Sequence, residues 1–105
     1  MTVVTLAGSS TNSGHTDGPA INATFAYPTG ITFNTMTNDY WISDTYNYAI
    51  RILNMTSMEV STPFPSDSFY TIESMDFFAD GSFVAATGNG YVTLTSNGIF
   101  CHFIS

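Results

Sequence analysis

Two histidines, one cysteine, eight carboxylates and a single arginine are, beside the many hydroxyls, the groups in this chain able to move a proton, attack a carbonyl or hold an ion. His15 lies in a Gly/Ser-rich stretch and His102 near the other end, and nothing clusters around either at zinc-ligand spacing. The stretch "DGPAIN" (17–22) lacks the alternating Asp/Asn ligands and closing Glu of a calcium loop. No Gly-x-Ser-x-Gly elbow, P-loop or dinucleotide fingerprint occurs. The expectation is a chain that is not an enzyme, with no catalytic residue, no cofactor and no metal.

The arginine has a more specific setting. In "SDTYNYAIRIL" (43–53), Arg51 follows Asp44 by seven residues, with a tight connection between them. That spacing places the two on adjacent antiparallel strands, where a carboxylate accepts paired hydrogen bonds from a guanidinium. A structural Asp44–Arg51 ion pair is therefore expected, with a substrate-binding or an exposed arginine as the alternatives. Two sequons, "NAT" at Asn22 and "NMT" at Asn54, offer N-glycosylation sites in a loop and at a strand end. Trp41, Tyr46, Tyr48 and Tyr91 are candidates for an aromatic patch. Trp41 alternates as a core strand position does, which leaves Tyr46 and Tyr48, in the turn, as the contact aromatics.

The surrounding chemistry narrows the partners. Net charge is -7 and charged residues are only 9%, with no Lys/Arg cluster to release counterions. Nucleic acid and anionic membranes are excluded on that ground. No apolar run reaches the roughly 20 residues of a membrane helix, so no membrane insertion is expected. A surface rich in Ser, Thr and Asn and free of lysine suits an extracellular or cell-surface protein carrying N-linked glycans. The N-terminus "MTVVTLAGSS" has no basic n-region and does not read as a signal peptide. With one cysteine no intrachain disulfide forms; Cys101 is either a small buried hydrophobe or half of an intermolecular disulfide.

The elements that must position these groups are strands. Hydrophobic residues make up 44% and aromatics 15%, with Val, Ile, Thr, Phe and Tyr recurring, and no stretch keeps a helical period for three turns. Strands are predicted over 2–8, 31–33, 39–45, 49–55, 59–64, 71–78, 82–87, 91–96 and 99–105. Between 9 and 30 runs a loop rich in Gly, Ser, Thr, Asn and Pro. Turn signals at roughly 8- to 12-residue spacing mean an all-β sandwich, barrel or propeller. An internal repeat chooses among them. "DYWISDTYNYAIRIL" overlays "GSFVAATGNGYVTL" with one deletion, matching Trp41 to Phe83, Ile42 to Val84 and Asn47 to Asn89. A repeat of roughly 40 to 50 residues holding four strands is a propeller blade. In that overlay Asp44 meets Ala86 and Arg51 meets Val92, so both charges disappear together, as partners in a structural pair would.

The stretch "VVTLAGSS…HTDGPAINATFAYPTGITFN…DYWISDTYNYAIRIL" resembles an NHL-repeat β-propeller unit. The matching parts are the "VTLAG" strand, the "DG…A.F..P.GI" entry loop and the "Y..D..N..IR.." strand pair. The resemblance runs over 3–53; over 55–105 only apolar positions and turns persist. It implies an all-β chain of two four-stranded antiparallel propeller-type blades, 28–64 and 69–105, plus an N-terminal blade-closing strand at 2–8. Closed propellers have roughly four to eight blades, so two leave apolar faces uncovered. The implied function is a non-catalytic structural protein whose partners are copies of itself, in a filament or ring. The alternative is a piece of a larger NHL propeller that binds protein or glycan; a lyase-type enzyme fragment is a third, and it would need convergent His and Asp residues.

Overall fold

A computed structural model of the chain describes residues 5–9, 11–63, 72–77, 83–87, 90–95 and 98–103. It is all-β, with two single 3-10 turns and no α-helix among the described residues. The strands are β1 (Gly18–Pro19), β2 (Pro28–Asn34), β3 (Asp39–Asp44), β4 (Ala49–Asn54), β5 (Glu59–Ser61), β6 (Ile72–Phe77), β7 (Phe83–Thr87), β8 (Gly90–Thr95) and β9 (Gly98–Phe103). They form a five-stranded sheet in the order β1-β5-β4-β3-β2 and a four-stranded sheet in the order β6-β7-β8-β9, all pairs antiparallel.

The first sheet is held in register by two alike hairpin turns. Asn34 and Asn54 each end a strand, and each Oδ1 accepts from the backbone N–H two residues on, that of Met36 at 3.0 Å and of Thr56 at 2.8 Å. This local bond is what makes asparagine a turn starter. Each turn closes on a residue with φ near +55°, Asn38 and Met58, whose N–H returns to the carbonyl of Asn34 and Asn54. The two turns lie side by side, joined by Met55 N–H donating to the Asn38 carbonyl at 3.1 Å.

Strand alternation then sorts the side chains. One face of the sheet carries Ile31, Phe33, Tyr40, Ile42, Asp44, Arg51, Leu53 and Val60, as the register Ile31↔Ile42↔Arg51 and Phe33↔Tyr40↔Leu53↔Val60 requires. The loop 5–27 folds over this face, so that Ala20, Ala23, Ile42, Leu53 and Val60 form a buried core with Ala7, Phe25, Tyr40 and Met55 against it. The other face carries Trp41, which meets Phe77 of β6 edge-on with ring centroids 5.0 Å apart.

Two expectations need correction. The segment 2–8 is expected to be a strand, but Thr5–Gly8 joins neither ladder, and 2–4 lies outside the described residues. Gly8 adopts φ +92°, which breaks an extended run, and its N–H turns in to the Ala20 carbonyl at 3.1 Å. The strand flanking β5 is instead the short β1, paired through Gly18↔Val60 and Pro19↔Glu59. The repeat overlay is also off by one in its first half. The first strand of each sheet has a bulge, between Pro28 and Gly30 in β2 and between Ile72 and Ser74 in β6. Pro28 faces Asp44 and Ile72 faces Thr87, so Asp44 corresponds to Thr87 and not to Ala86. Arg51, opposite Ile42, still corresponds to Val92, opposite Ala85. The β7–β8 connection is two residues shorter than the β3–β4 one, and a single deletion cannot absorb that.

Candidate functional site

Arg51 sits near the middle of β4 with none of its surface exposed, the largest fully buried side chain among the described residues. A guanidinium in such a place must be neutralised and hydrogen-bonded. Its Nη1 donates to Asp44 Oδ2 at 2.7 Å and to the Thr24 carbonyl at 2.7 Å. Its Nη2 donates to Asp17 Oδ1 at 2.9 Å and to the Thr16 carbonyl at 2.8 Å. The Nε is buried and makes no hydrogen bond. The guanidinium carbon Cζ lies over the Phe25 ring, 4.7 Å from its centroid, a cation–π contact made by a buried arginine.

Asp44 is equally buried and its carboxylate is fully used. Oδ1 accepts from the Ala26 N–H at 2.7 Å, while Oδ2 accepts from Arg51 and from Asn47 Nδ2 at 2.6 Å. Asn47 Nδ2 also reaches the Gly14 carbonyl at 2.8 Å. The expected pair is thus the centre of a larger cluster that ties Gly14, Thr16, Asp17, Thr24 and Ala26, and the turn at 45–47, to β3 and β4. Asp17 differs in character: its side chain is 45% exposed and also accepts from Thr62 Oγ1 at 2.9 Å. Nothing in the sequence marks Asp17 for this role, and the Thr16 and Thr24 contacts use main-chain carbonyls, which any residue supplies. Every terminal N–H of Arg51 is committed within the cluster.

The other candidates are scattered. His15 is exposed in the loop. His102 and Cys101 lie in β9, with side chains outside the described set, as is that of Tyr91 in β8. Among the described residues no group of His, Cys, Asp and Glu could hold a metal, and no helix is long and apolar enough to cross a membrane. Asn22 is exposed at the end of the first 3-10 turn, and Asn54 is half-buried with its Oδ1 engaged in the hairpin. Trp41 is buried, its Nε1 donating to Asp39 Oδ1 at 2.8 Å.

Tyr46 and Tyr48 project from the turn between β3 and β4, at 63% and 49% exposure. A residue outside the predicted patch joins them. Tyr27, 69% exposed, stacks on Tyr46 with centroids 4.8 Å apart and planes inclined at 21°. It was reachable only through tertiary structure, since the two lie on different connections.

An open apolar groove of about 670 Å³ runs along the Ile31 face of the sheet, between the 5–7 segment and β2, lined by Leu6, Phe25, Ile31, Tyr40, Ile42 and Leu53 among others. Leu6, Ile31 and Phe33 are exposed along it or beside it. In comparisons with protein-family models and with curated proteins, the chain matches none.

Proposed function

We propose that this chain is a non-catalytic structural protein of NHL-like blades that associates with copies of itself through the Ile31 face of its first sheet. The observation that carries this reading is an equivalence of positions. Through the shared bulge, Ile31 and Phe33 of β2 correspond to Met75 and Phe77 of β6. Met75 and Phe77 are half-buried, and Phe77 packs on Trp41 of the neighbouring sheet. Ile31 and Phe33 occupy the same places yet are 64% and 38% exposed. A further sheet on this face would cover them as the first sheet covers Phe77. Each chain offers one such face and the far side of its β6–β9 sheet, so the contact between copies is head-to-tail and yields a ring or a filament. Among the described residues β2 and β9 are edge strands, which offer main-chain donors and acceptors for strand pairing. An extracellular setting, with glycans on Asn22 and Asn54, belongs to the same reading and rests on the lysine-free, hydroxyl-rich composition.

The test is the particle mass in solution by light scattering. The expected result is a species several times the 11.4 kDa of one chain. Ile31→Lys, at an exposed position, should give a folded particle of one-chain mass. A wild-type chain that runs as a folded monomer sinks the self-association reading. The groove would then belong to the alternative, a blade set completed by further repeats of a larger propeller.

A further inference from the structure

We propose that the stacked Tyr27–Tyr46 pair is a docking platform for a guanidinium group carried by an arginine of a protein partner. The proposal does not rest on self-assembly, and it concerns the end of the sheet opposite the two asparagine turns.

Three observations converge on it. The first is backbone strain. Tyr27, one of the two stacked residues, has φ +58°, a left-handed region where a bulky side chain is a genuine outlier. Glycine or asparagine meets such a turn at lower cost. Tyr27 also precedes Pro28, a place that favours extended backbone. A large ring kept at a strained, exposed position points to a use for the ring.

The second is rigidity. Tyr46 N–H donates to the Ala26 carbonyl at 3.0 Å, and Ala26 N–H donates to Asp44 Oδ1 at 2.7 Å. The main chain at Ala26 and Tyr46 is therefore tied to the buried Arg51–Asp44 cluster, which holds the backbone beneath the stacked rings in place. A preorganised surface loses less entropy on binding.

The third is charge. The only arginine is buried and neutralised by Asp44, with Asp17 as a second carboxylate, and the chain has no lysine. The molecule as a whole carries a net charge of -7, so its long-range field is negative. Such a field attracts cations and repels phosphates. A planar, weakly hydrated guanidinium is the cation that stacks best on an aromatic face. The chain uses this contact internally, with Arg51 over Phe25.

The experiment is ligand-observed NMR on the intact chain at low salt, with a short arginine–glycine peptide as probe and its citrulline counterpart as the neutral control. Saturable binding of the arginine peptide is expected, with the citrulline peptide about 5-fold weaker, the ratio one exposed cation–π contact supports. Tyr46→Phe should keep the affinity and Tyr46→Ala should lower it by about 5-fold. Tyr27→Gly should lose it equally while remaining folded, since glycine is at ease at this φ; circular dichroism checks the fold. Equal binding of the citrulline peptide overturns the proposal, as does no binding, or an affinity indifferent to Tyr27→Gly. Glucose competing for the same site while the arginine peptide does not would assign the platform to sugars and overturn it too.

Discussion

Arg51 is costly to bury and costly to remove, and the two facts have one cause. Its charge is tolerated because two carboxylates and two carbonyls surround it. Arg51→Ala leaves the buried Asp44 carboxyl without its cationic partner, so a loss of about 3 to 5 kcal/mol is expected. Arg51→Met should cost less than Arg51→Ala, because it restores the packing against Phe25. Arg51→Lys should recover only part of the loss, since an ammonium cannot span Asp44, Asp17, Thr16 and Thr24 at once. Asp17→Asn should cost no more than about 1 kcal/mol, as its half-exposed side chain is screened by water. Urea unfolding measures all four. An unchanged midpoint for Arg51→Ala, or a larger loss at Asp17 than at Arg51, would contradict the cluster as a structural device.

At the scale of elements, the 14–26 loop behaves as a fitted cover. Gly14 is its tightest point. It has φ +159°, and a Cβ there would lie 2.8 Å from Thr24 Oγ1. Thr24 has little room to yield, because its Oγ1 accepts from Thr16 N–H at 2.9 Å and its carbonyl accepts from Arg51. Gly14→Ala is thus expected to destabilise by about 1 to 3 kcal/mol, through strain and clash together. Thermal melting of this variant tests it, and hydrogen exchange should show the change first at Thr16 and Thr24. A neutral Gly14→Ala would mean that the loop is loosely seated and that Arg51 orders it less than its contacts suggest.

For the whole molecule, the salient fact is an uneven covering of one sheet. The Trp41 face has the second sheet against it, while among the described residues the Ile31 face is met by the loop ahead of β2, beside which the apolar groove lies. Association through that face predicts that assembly strengthens with salt and with modest warming, as burial of apolar surface does, since salt also screens the mutual repulsion of chains at net charge -7. Light scattering across salt concentrations checks the direction, and weaker assembly in high salt would point to a polar contact instead. The extracellular reading has its own test. Native material treated with an N-glycan-removing enzyme should lose mass at Asn22 and Asn54, with Asn22 the more fully occupied because it is the more exposed. No loss at either site removes the basis for glycosylation.

Much of this was legible in the sequence for local reasons. Strand residues, alternation and Asn-led turns are read within a few positions, so β3, β4 and β6 to β9 lie within a residue or two of where the pattern puts them. The Asp44–Arg51 proximity was legible too, because a tight connection leaves little freedom between two antiparallel strands. Tertiary structure decided the rest. The sequence cannot tell that Thr5–Gly8 leaves the sheet, since apolar β-formers serve equally to pack over a core. It does not mark Asp17, Thr16 or Thr24 as partners of Arg51, because they come from a loop whose path depends on everything beneath it. Nor does it pair Tyr27 with Tyr46, which meet only once the Arg51 cluster has drawn two separate connections together. Short-range steric and hydrogen-bond preferences act along the chain and can be read there. Contacts between distant segments depend on how the whole sheet closes, and only the folded chain contains that.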